Sequence, residues 1–352
     1  MPLLSSQSDT SGIHTNSNPS KRSTKSAGQS FAGYDLIGDV HGCADSLKLL
    51  LQKLDYVKRD GVYHYRDQAR PRQVIFVGDV LDRGPKIREA MLLVRDMVQR
   101  GSAQIIMGNH EYNALGYTTP APADSPKQYL REHDANHNRL IRETLDQFAN
   151  YGQDWRDTLA WLYEWPLFLE FDHFRVVHAC WDQILIDQFR QRCPSATIDK
   201  EFLLASEDFS QFPGRFMSRT TRGVSLLLPD QRTMTGSDGY TRRTFRVKFW
   251  VENPQTYSDV LFQPDPLAAD LARRPLSEQE KQFIPFYGRD QRPLFIGHYW
   301  QNGVPAPLLD NIACLDYSAV KNGRLVAYRM DNEQRLSPHN FVWVEAQERL
   351  AA

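Results

Sequence analysis

Three short apolar runs in the first third of the chain are each followed by glycine and then by polar residues. The runs occupy residues 34–37, 74–77 and 104–107. Short apolar runs that end at glycine are typical of buried β-strands. After the first two runs, apolar residues recur at helical spacing, namely Leu47, Leu50, Leu51 and Leu54, then Ile87, Met91, Leu92 and Val94. The pattern predicts β-α-β-α-β order and an α/β fold with a partly parallel sheet.

The middle of the chain is less regular. Residues 112–165 place aromatic and apolar residues at mixed helical spacing among many charges, which predicts a helical layer beside the functional site. Residues 182–294 show little period, and we interpret them as an insertion or groove region. Within them, residues 242–250 alternate like a strand, which would turn Phe245, Val247 and Phe249 to one face and Arg246 and Lys248 to the other.

Residues 1–30 form a polar segment rich in Ser, Thr, Asn and Gln. Such a segment cannot bury enough apolar surface to offset the entropy of ordering, so we predict a disordered tail. A domain at residues 31–352 would then carry the function.

The polar residues that follow the three predicted strands form three motifs. They read GDVHG at 38–42, GDVLDRG at 78–84 and GNHE at 108–111. Layered α/β folds place their ligand sites at the carboxyl ends of strands, so we expect these side chains to converge. Asp, His and Asn together are ligand types of a two-metal site that holds a phosphate during in-line displacement. The pattern therefore predicts hydrolysis of a phosphoester.

These motifs resemble those of the phosphoprotein phosphatase (PPP) branch of the calcineurin-like metallophosphoesterases, which read GD-x-HG, GD-x-x-DRG and GNH-E in this order. VHA at 177–179 and the Gly-His pair at 297–298 are similar to the contexts of the family's two late metal-binding histidines. The closing segment, 315–329, resembles bacterial symmetrical diadenosine tetraphosphatases as much as protein phosphatases. Two features depart from the pattern: Cys180 stands where many members have Gly, and the interval between the late histidines is long.

The resemblance implies a layered αββα-type sandwich with the metal site at the strand carboxyl ends. It also implies two divalent metal ions, with Mn first and Fe or Zn as alternatives, and attack by a metal-bridging hydroxide. The implied metal ligands are Asp39, His41, Asp79, Asn109, His178 and His298.

Other roles are implied for residues beside the ligands. His110 would protonate the leaving oxygen as general acid, and Asp82 would hold that imidazole and keep it protonated. Arg83 offers a planar fork for two phosphate oxygens. The family also has a later arginine, for which the basic span 215–248 offers several candidates. Arg246 is the first choice and Arg243 the second.

The substrate stays open at this level between a phosphoprotein, phosphorylated on Ser/Thr or Tyr, and a dinucleoside polyphosphate such as diadenosine tetraphosphate. The phosphoprotein is the first choice. A scaffold with a dead site is disfavoured because every implied ligand is retained. A thiol-based phosphatase is excluded, since none of the four cysteines has an arginine six positions later.

Composition adds little to this picture. The net charge is −1 over 352 residues with 41% apolar residues, so we expect neither a nucleic-acid nor a membrane partner. The four cysteines lack the spacing of a zinc site or a disulfide framework and are interpreted as reduced thiols of a cytoplasmic protein. The sequence leaves the oligomeric state open.

Overall fold

The computed structural model describes residues 31–236, 239, 241–262 and 267–346. The predicted tail at residues 1–30 lies outside them. The first half of the described chain runs β1 (Gly33–Ile37), α1 (Ala44–Lys53), β2 (Tyr56–Arg59), β3 (Val62–Tyr65), β4 (Arg72–Phe76), α2 (Ile87–Gln99), β5 (Ala103–Ile105), α3 (Asn109–Thr118), α4 (Ala135–Phe148), α5 (Gly152–Leu162), β6 (Phe168–Glu170) and β7 (Arg175–Val177).

The second half is built from shorter elements. It runs α6 (Gln183–Arg192), α7 (Lys200–Ala205), α8 (Phe212–Arg222), β8 (Val224–Leu227), β9 (Met234–Thr235), β10 (Thr241–Arg242), β11 (Thr244–Val247), α9 (Tyr257–Val260), α10 (Ala269–Ala272), α11 (Glu278–Phe283), β12 (Leu294–Ile296), β13 (Ile312–Cys314), β14 (Asp316–Tyr317), β15 (Arg324–Met330) and β16 (Phe341–Glu345).

Two sheets form the centre of the molecule. In the first, β1 and β5 flank β4 in parallel, and β15 pairs antiparallel with β1, β14 and β16. In the second, β12 is parallel to both β7 and β13, and β6 pairs antiparallel with β7. Two groups of parallel strands therefore each direct their carboxyl ends to one edge.

The two sheets share a buried apolar layer. Residues of the first sheet, including Leu36 and Ile75, cluster with residues of the second, including Val176 and Phe295, and all four side chains are fully buried. A larger cluster joins the sheets to the helices, with Leu47 and Leu50 of α1 and Met91 of α2 inside it. This arrangement of helices, sheet, sheet and helices is the predicted αββα sandwich, and the fold class is confirmed.

The predicted β-α-β-α-β order is confirmed, as is the helical layer at 112–165, which contains α3, α4 and α5. The structure adds a hairpin, β2–β3, between α1 and β4. In the span 242–250, Phe245, Val247 and Phe249 are buried as predicted, but strand β11 ends at Val247. Within the described residues, the longest helix has 14 residues, and none is long and apolar enough to cross a membrane.

Candidate active site

Five strand ends bring the predicted metal ligands together. Asp39 follows β1, Asp79 follows β4, and Asn109 opens α3 just after β5. From the other sheet, His178 follows β7 directly and His298 follows β12. Because the strands before them run parallel within each sheet, the five residues reach one edge of the sandwich.

Backbone hydrogen bonds join the loops that carry these residues. The amides of Val40 and His41 donate to the carbonyl of Asp79, at 3.1 and 2.9 Å. The amide of Gly297 donates to the carbonyl of His178 at 2.9 Å. The first bonds fix the two loops of the first sheet, and the last fixes the two loops of the second.

The backbone of the site is strained at several non-glycine residues. Five of them adopt left-handed conformations with φ between 43° and 68°, namely His41, Asp79, Asp82, Arg83 and His298. Such residues cost about 1–3 kcal/mol each and persist where the surrounding structure holds them in place. Their concentration here is typical of a functional site.

Two glycines let the loops approach the carboxylates. A Cβ atom on Gly108 would lie 2.2 Å from Asp79 Oδ1, and one on Gly297 would lie 2.2 Å from Asp39 Oδ1. Both distances are far below van der Waals contact, so any larger residue would displace a carboxylate. The glycines of the GNHE and Gly-His motifs therefore act through close packing.

Hydrogen bonds from Nδ1 orient two of the histidines so that Nε2 can bind a metal ion. His41 Nδ1 donates to the carbonyl of Leu81 at 2.8 Å, and His178 Nδ1 donates to the carbonyl of Val77 at 2.7 Å. With Nδ1 occupied, each ring presents Nε2 to Asp79 Oδ2, at 3.8 Å for His41 and 3.3 Å for His178. Imidazoles that ligate metals are oriented by a bond of this kind from their second nitrogen.

The donor set fits divalent cations. Two groups of possible ligand atoms, each within 4.8 Å of one another, share the Asp79 carboxylate; they are His41, Asp79 and His110, and Asp79, His178 and His298. Asp39 Oδ1 and His298 Nε2 are buried and have no hydrogen-bond partner in the described part of the chain. A buried acceptor without a partner is costly unless a cation or another donor reaches it.

The pKa values of the pocket residues also indicate that negative charge is crowded there. Burial, together with the nearby carboxylates of Asp316 and Asp79, raises the pKa of Asp39 well above its ordinary value. Burial opposes a charge on His178, but Asp79 outweighs it and raises the pKa of His178 to about 10. Asp79 itself is held well below its ordinary pKa, because His178 and the other nearby histidines outweigh its burial. Carboxylates this crowded are stabilised by positive charge.

His110 is held between Asp82 and Arg83. Its Nδ1 lies 2.6 Å from Asp82 Oδ2, and its Nε2 lies 2.9 Å from Arg83 Nη2. The other oxygen of Asp82 accepts a hydrogen bond from the Thr144 hydroxyl. The structure thus places the predicted acid, its orienting carboxylate and the predicted phosphate arginine in one contiguous group.

Burial and hydrogen bonding both affect the protonation of this group. Burial lowers the pKa of His110 to about 3, and burial raises the pKa of Asp82 to about 7. The Arg83 guanidinium can only donate, so His110 Nε2 accepts its hydrogen bond and the imidazole is neutral. Asp82 holds the ring by a hydrogen bond, and its predicted role in keeping the ring protonated stays a prediction. A proton on Nε2 would be favoured by the arrival of an anionic phosphate beside the ring.

Glu111 has a role that the sequence reasoning missed. Its carboxylate accepts hydrogen bonds from the backbone amides of Asp79, Val80, Leu81 and Gly108, at 2.9–3.1 Å. It therefore fixes the conformation of the second motif from the first turn of α3. The fourth letter of GNHE was the available signal, but its role depends on contacts across the sheet.

A cavity of about 910 Å³ opens from these residues. Its walls come from α4, from the β10–β11 region and from the segment after β12. Among the described residues, six cationic side chains line it, namely Arg83, Arg139, Arg142, Arg242, Arg246 and Lys321. The acidic lining includes Asp39, Asp79, Glu143 and Asp316. The cations of α4 and Lys321 were not predicted, since only the tertiary structure brings them to the site.

The two arginines chosen from the basic span are placed differently. Arg246 lines the cavity, and its Nη1 donates to the carbonyl of His298 at 3.0 Å. Arg243 is exposed and is not among the residues that line the cavity. Its neighbour Arg242 lines it instead. Arg222, from the same span, packs over the Tyr112 ring and donates to Asn113 Oδ1.

The family model of the calcineurin-like phosphoesterases matches residues 34–213, which is half of the chain. The chain belongs to the calcineurin-like phosphoesterase family. The predicted family is thereby confirmed, and the predicted class of phosphoester hydrolase agrees with it.

Relatives within this family differ in how much of the chain they match. The asymmetrical bis(5'-nucleosyl)-tetraphosphatase PrpE of Oceanobacillus iheyensis is 45% identical over 76 residues, which are 22% of this chain and 29% of that protein. The symmetrical bis(5'-nucleosyl)-tetraphosphatase of Vibrio vulnificus is 24% identical over 313 residues, 86% of this chain and 96% of that protein. The solved structure of a cold-active protein-tyrosine phosphatase from a psychrophilic Shewanella has 15% identity and a TM-score of 0.46, covering 90% of this chain and 81% of that one.

Proposed function

We propose that this protein is a metal-dependent phosphoric ester hydrolase. The observation that carries the proposal is the Asp79 carboxylate, which belongs to two groups of possible ligand atoms, one with His41 and the other with His178 and His298. One carboxylate between two sets of nitrogen ligands suits a pair of divalent cations, which act together in the hydrolysis of phosphates.

The residues that would hold the cations are Asp39, His41, Asp79, Asn109, His178 and His298. Oxygen and imidazole ligands without thiolate suit Mn, Fe or Zn better than copper, and we place Mn first. When bound, such cations would polarise the phosphoryl oxygens and lower the pKa of water. The two buried acceptors without partners, Asp39 Oδ1 and His298 Nε2, would each gain one.

The neighbouring side chains would handle the phosphate and the leaving group. The guanidinium of Arg83 now donates to His110 Nε2, and a phosphate between them would take over that hydrogen bond. His110 would then transfer a proton from Nε2 to the leaving oxygen as the phosphorus–oxygen bond breaks. Asp82 would keep the ring in the orientation that this transfer needs.

Two classes of substrate fit the cavity. A phosphoprotein needs an open mouth and one or two arginines near the phosphate, which Arg83 and Arg246 supply. A dinucleoside polyphosphate needs several cations along an extended cavity, and six cationic side chains line this one. The cation count favours the second class, and the relatives that span most of the chain carry that activity in their names. We therefore place the dinucleoside polyphosphate first and the phosphoprotein second.

A comparison of specific rates separates the two classes. With Mn²⁺ present, kcat/KM is measured on diadenosine tetraphosphate and on a panel of Ser-, Thr- and Tyr-phosphopeptides. We expect the higher value for the dinucleotide, with ADP as product. Higher values on phosphopeptides would restore the phosphoprotein as the substrate, and no turnover of any of them would refute the hydrolase.

Substitution of Arg246 tests the phosphate contact, and substitution of Arg243 is its matched control. Arg246→Ala removes a cation that lines the cavity and should raise KM and lower kcat, as the loss of a phosphate clamp does. Arg243→Ala removes an exposed arginine of the same strand region and should leave both within about twofold, as most surface substitutions do. Equal effects of the two substitutions would remove Arg246 from the phosphate site.

A further inference from the structure

A second hollow lies beside the active-site cavity at Trp300. This hollow has a volume of about 380 Å³, and Trp300, Ser318 and Lys321 line both spaces. The two hollows therefore adjoin at these three residues, and together they are called the groove below. Nothing in the motifs of the chain accounts for this extension.

The segment that carries Trp300 is anchored on both sides. Tyr299, immediately before it, is fully buried, and its hydroxyl donates to the carbonyl of Val247 at 3.1 Å. After it, the amide of Gln301 donates to the carbonyl of Asp316 at 2.9 Å. Trp300 itself is only half-buried. A large planar side chain is thus presented to the groove from a fixed backbone, two residues after His298.

Lys321 brings a positive charge to the same two hollows that Trp300 lines. Lys321 ends the short turn Ala319–Lys321, whose flanking residues Ser318 and Asn322 both have left-handed backbones, at φ 54° and 55°. The Lys321 side chain is exposed and lines both hollows. Together with Arg83 and Arg246, it extends the positive charge from the predicted phosphate site to the indole.

The far part of the groove is polar in a way that suits a base and a sugar. Its lining includes the side-chain amides of Gln301, Asn302 and Asn322, together with Tyr317. Amides both donate and accept hydrogen bonds, which is what the edge of a nucleobase requires. Stacking on an aromatic face, a neighbouring cation for phosphate and amides for the base edge are the components of nucleotide recognition.

We propose that Trp300 and Lys321 form a nucleotide subsite, in which the base stacks on the indole and Lys321 contacts the phosphate next to the ribose. The subsite rests on the proposed function and specifies its substrate class, because it would select nucleotide substrates over phosphopeptides. Its binding role does not require turnover, so it can be tested separately.

Calorimetric titrations with ADP and with inorganic pyrophosphate, both in Mn²⁺ buffer, test the subsite directly. Trp300→Leu should weaken ADP binding roughly 10- to 100-fold, the range of a lost base stack, and leave pyrophosphate binding within about twofold. Trp300→Phe should retain most of the ADP affinity, because a ring remains. Lys321→Ala should weaken both ligands, because both present phosphate.

The matched control is Tyr151→Leu, which removes an exposed aromatic side chain that lies over Arg88 and does not line either hollow. It should change neither affinity, and the melting temperature of each variant checks that it folds. Equal weakening of ADP and pyrophosphate by Trp300→Leu, or no weakening of either, would overturn the proposal. So would a loss of kcat/KM on phosphopeptides with unchanged ADP binding, since the groove would then hold a peptide.

The two proposals fail in different ways. If the wild-type protein hydrolyses none of the phosphate substrates, yet ADP binding responds to Trp300→Leu as described, the hydrolase is refuted and the subsite stands. If diadenosine tetraphosphate is hydrolysed at the wild-type rate by Trp300→Leu and ADP binding is unchanged, the subsite is refuted and the hydrolase stands.

Discussion

His110 shows how single residues of the site depend on their immediate partners. Its ring is fully enclosed, with Asp82 at Nδ1 and Arg83 at Nε2. Burial disfavours a charge on the ring and lowers its pKa to about 3. In the proposed mechanism, a bound phosphate would replace the Arg83 contact, and its negative charge would favour a proton on the ring. The proposed acid role thus links protonation of the ring to the binding of substrate.

The general-acid role predicts a substrate-dependent defect. His110→Asn should keep metal binding and lose roughly 10²–10⁴ in rate on alkyl phosphates, the usual contribution of a positioned acid. The loss should be much smaller on aryl phosphates, whose leaving group needs little protonation. Rates on both ester types, with metal content measured in the same protein, check this. An equal loss on aryl and alkyl esters would contradict the acid role.

Residues inside motifs could be assigned roles from the sequence, and residues outside them could not. Asp39 and Asp79 lie at strand ends, as the motifs predicted, because each closely follows a strand that could be predicted from its apolar run. The cavity arginines of α4 have no local signal of that kind. Arg139 and Arg142 lie on a helix whose orientation towards the site is decided by tertiary packing. Trp300 had one available signal, its position two residues after His298.

At the scale of elements, the site depends on close contact between loops of the two sheets. Gly297, after β12, packs against the carboxylate of Asp39, after β1, so closely that a Cβ would lie 2.2 Å from Oδ1. The His298 amide also lies 3.3 Å from Asp39 Oδ2. The first sheet thus supplies a carboxylate whose position is set by the second.

The close contact between Gly297 and Asp39 predicts the effect of adding one methyl group at residue 297. Gly297→Ala should leave the protein folded, because Asp39 can move, but it should displace that carboxylate and reduce metal binding and activity together. The control is Gly116→Ala in α3, where the nearest atom to a new Cβ is 3.5 Å away. That change should keep activity and stabilise the helix by up to about 1 kcal/mol. Metal content and thermal unfolding of both variants check the prediction; full metal binding by Gly297→Ala would refute it.

Strands and helices could be predicted from the sequence where their apolar residues recur at the spacing of that element. The β2–β3 hairpin was not predicted, although Asp60-Gly61 lies between its strands and is a strong hairpin signal. The region 182–294 could not be read because its helices and strands are short and take their order from packing. The insertion and domain boundaries proposed from the sequence remain predictions.

At the scale of the whole molecule, the metal site would join the two sheets. Asp39, His41, Asp79 and Asn109 come from the first sheet, and the late histidines come from the second. Cations that bind the folded chain and not the unfolded one stabilise it in proportion to the logarithm of their concentration. Without them, the carboxylates remain crowded in a buried pocket, as the raised pKa of Asp39 indicates.

Removal of metal should therefore lower both activity and stability. Chelation should abolish turnover and lower the melting temperature, and added Mn²⁺ should restore both, with a stabilisation of about 2.7 kcal/mol at 100 times Kd. Asp79→Asn removes the carboxylate common to both ligand groups, so its melting temperature should respond little to Mn²⁺ and its activity should be lost. His110→Asn is the control, because it should keep the thermal response to Mn²⁺ while losing rate. Full turnover in metal-free protein, or an undiminished Mn²⁺ response in Asp79→Asn, would show that the cations do not bind between the two sheets.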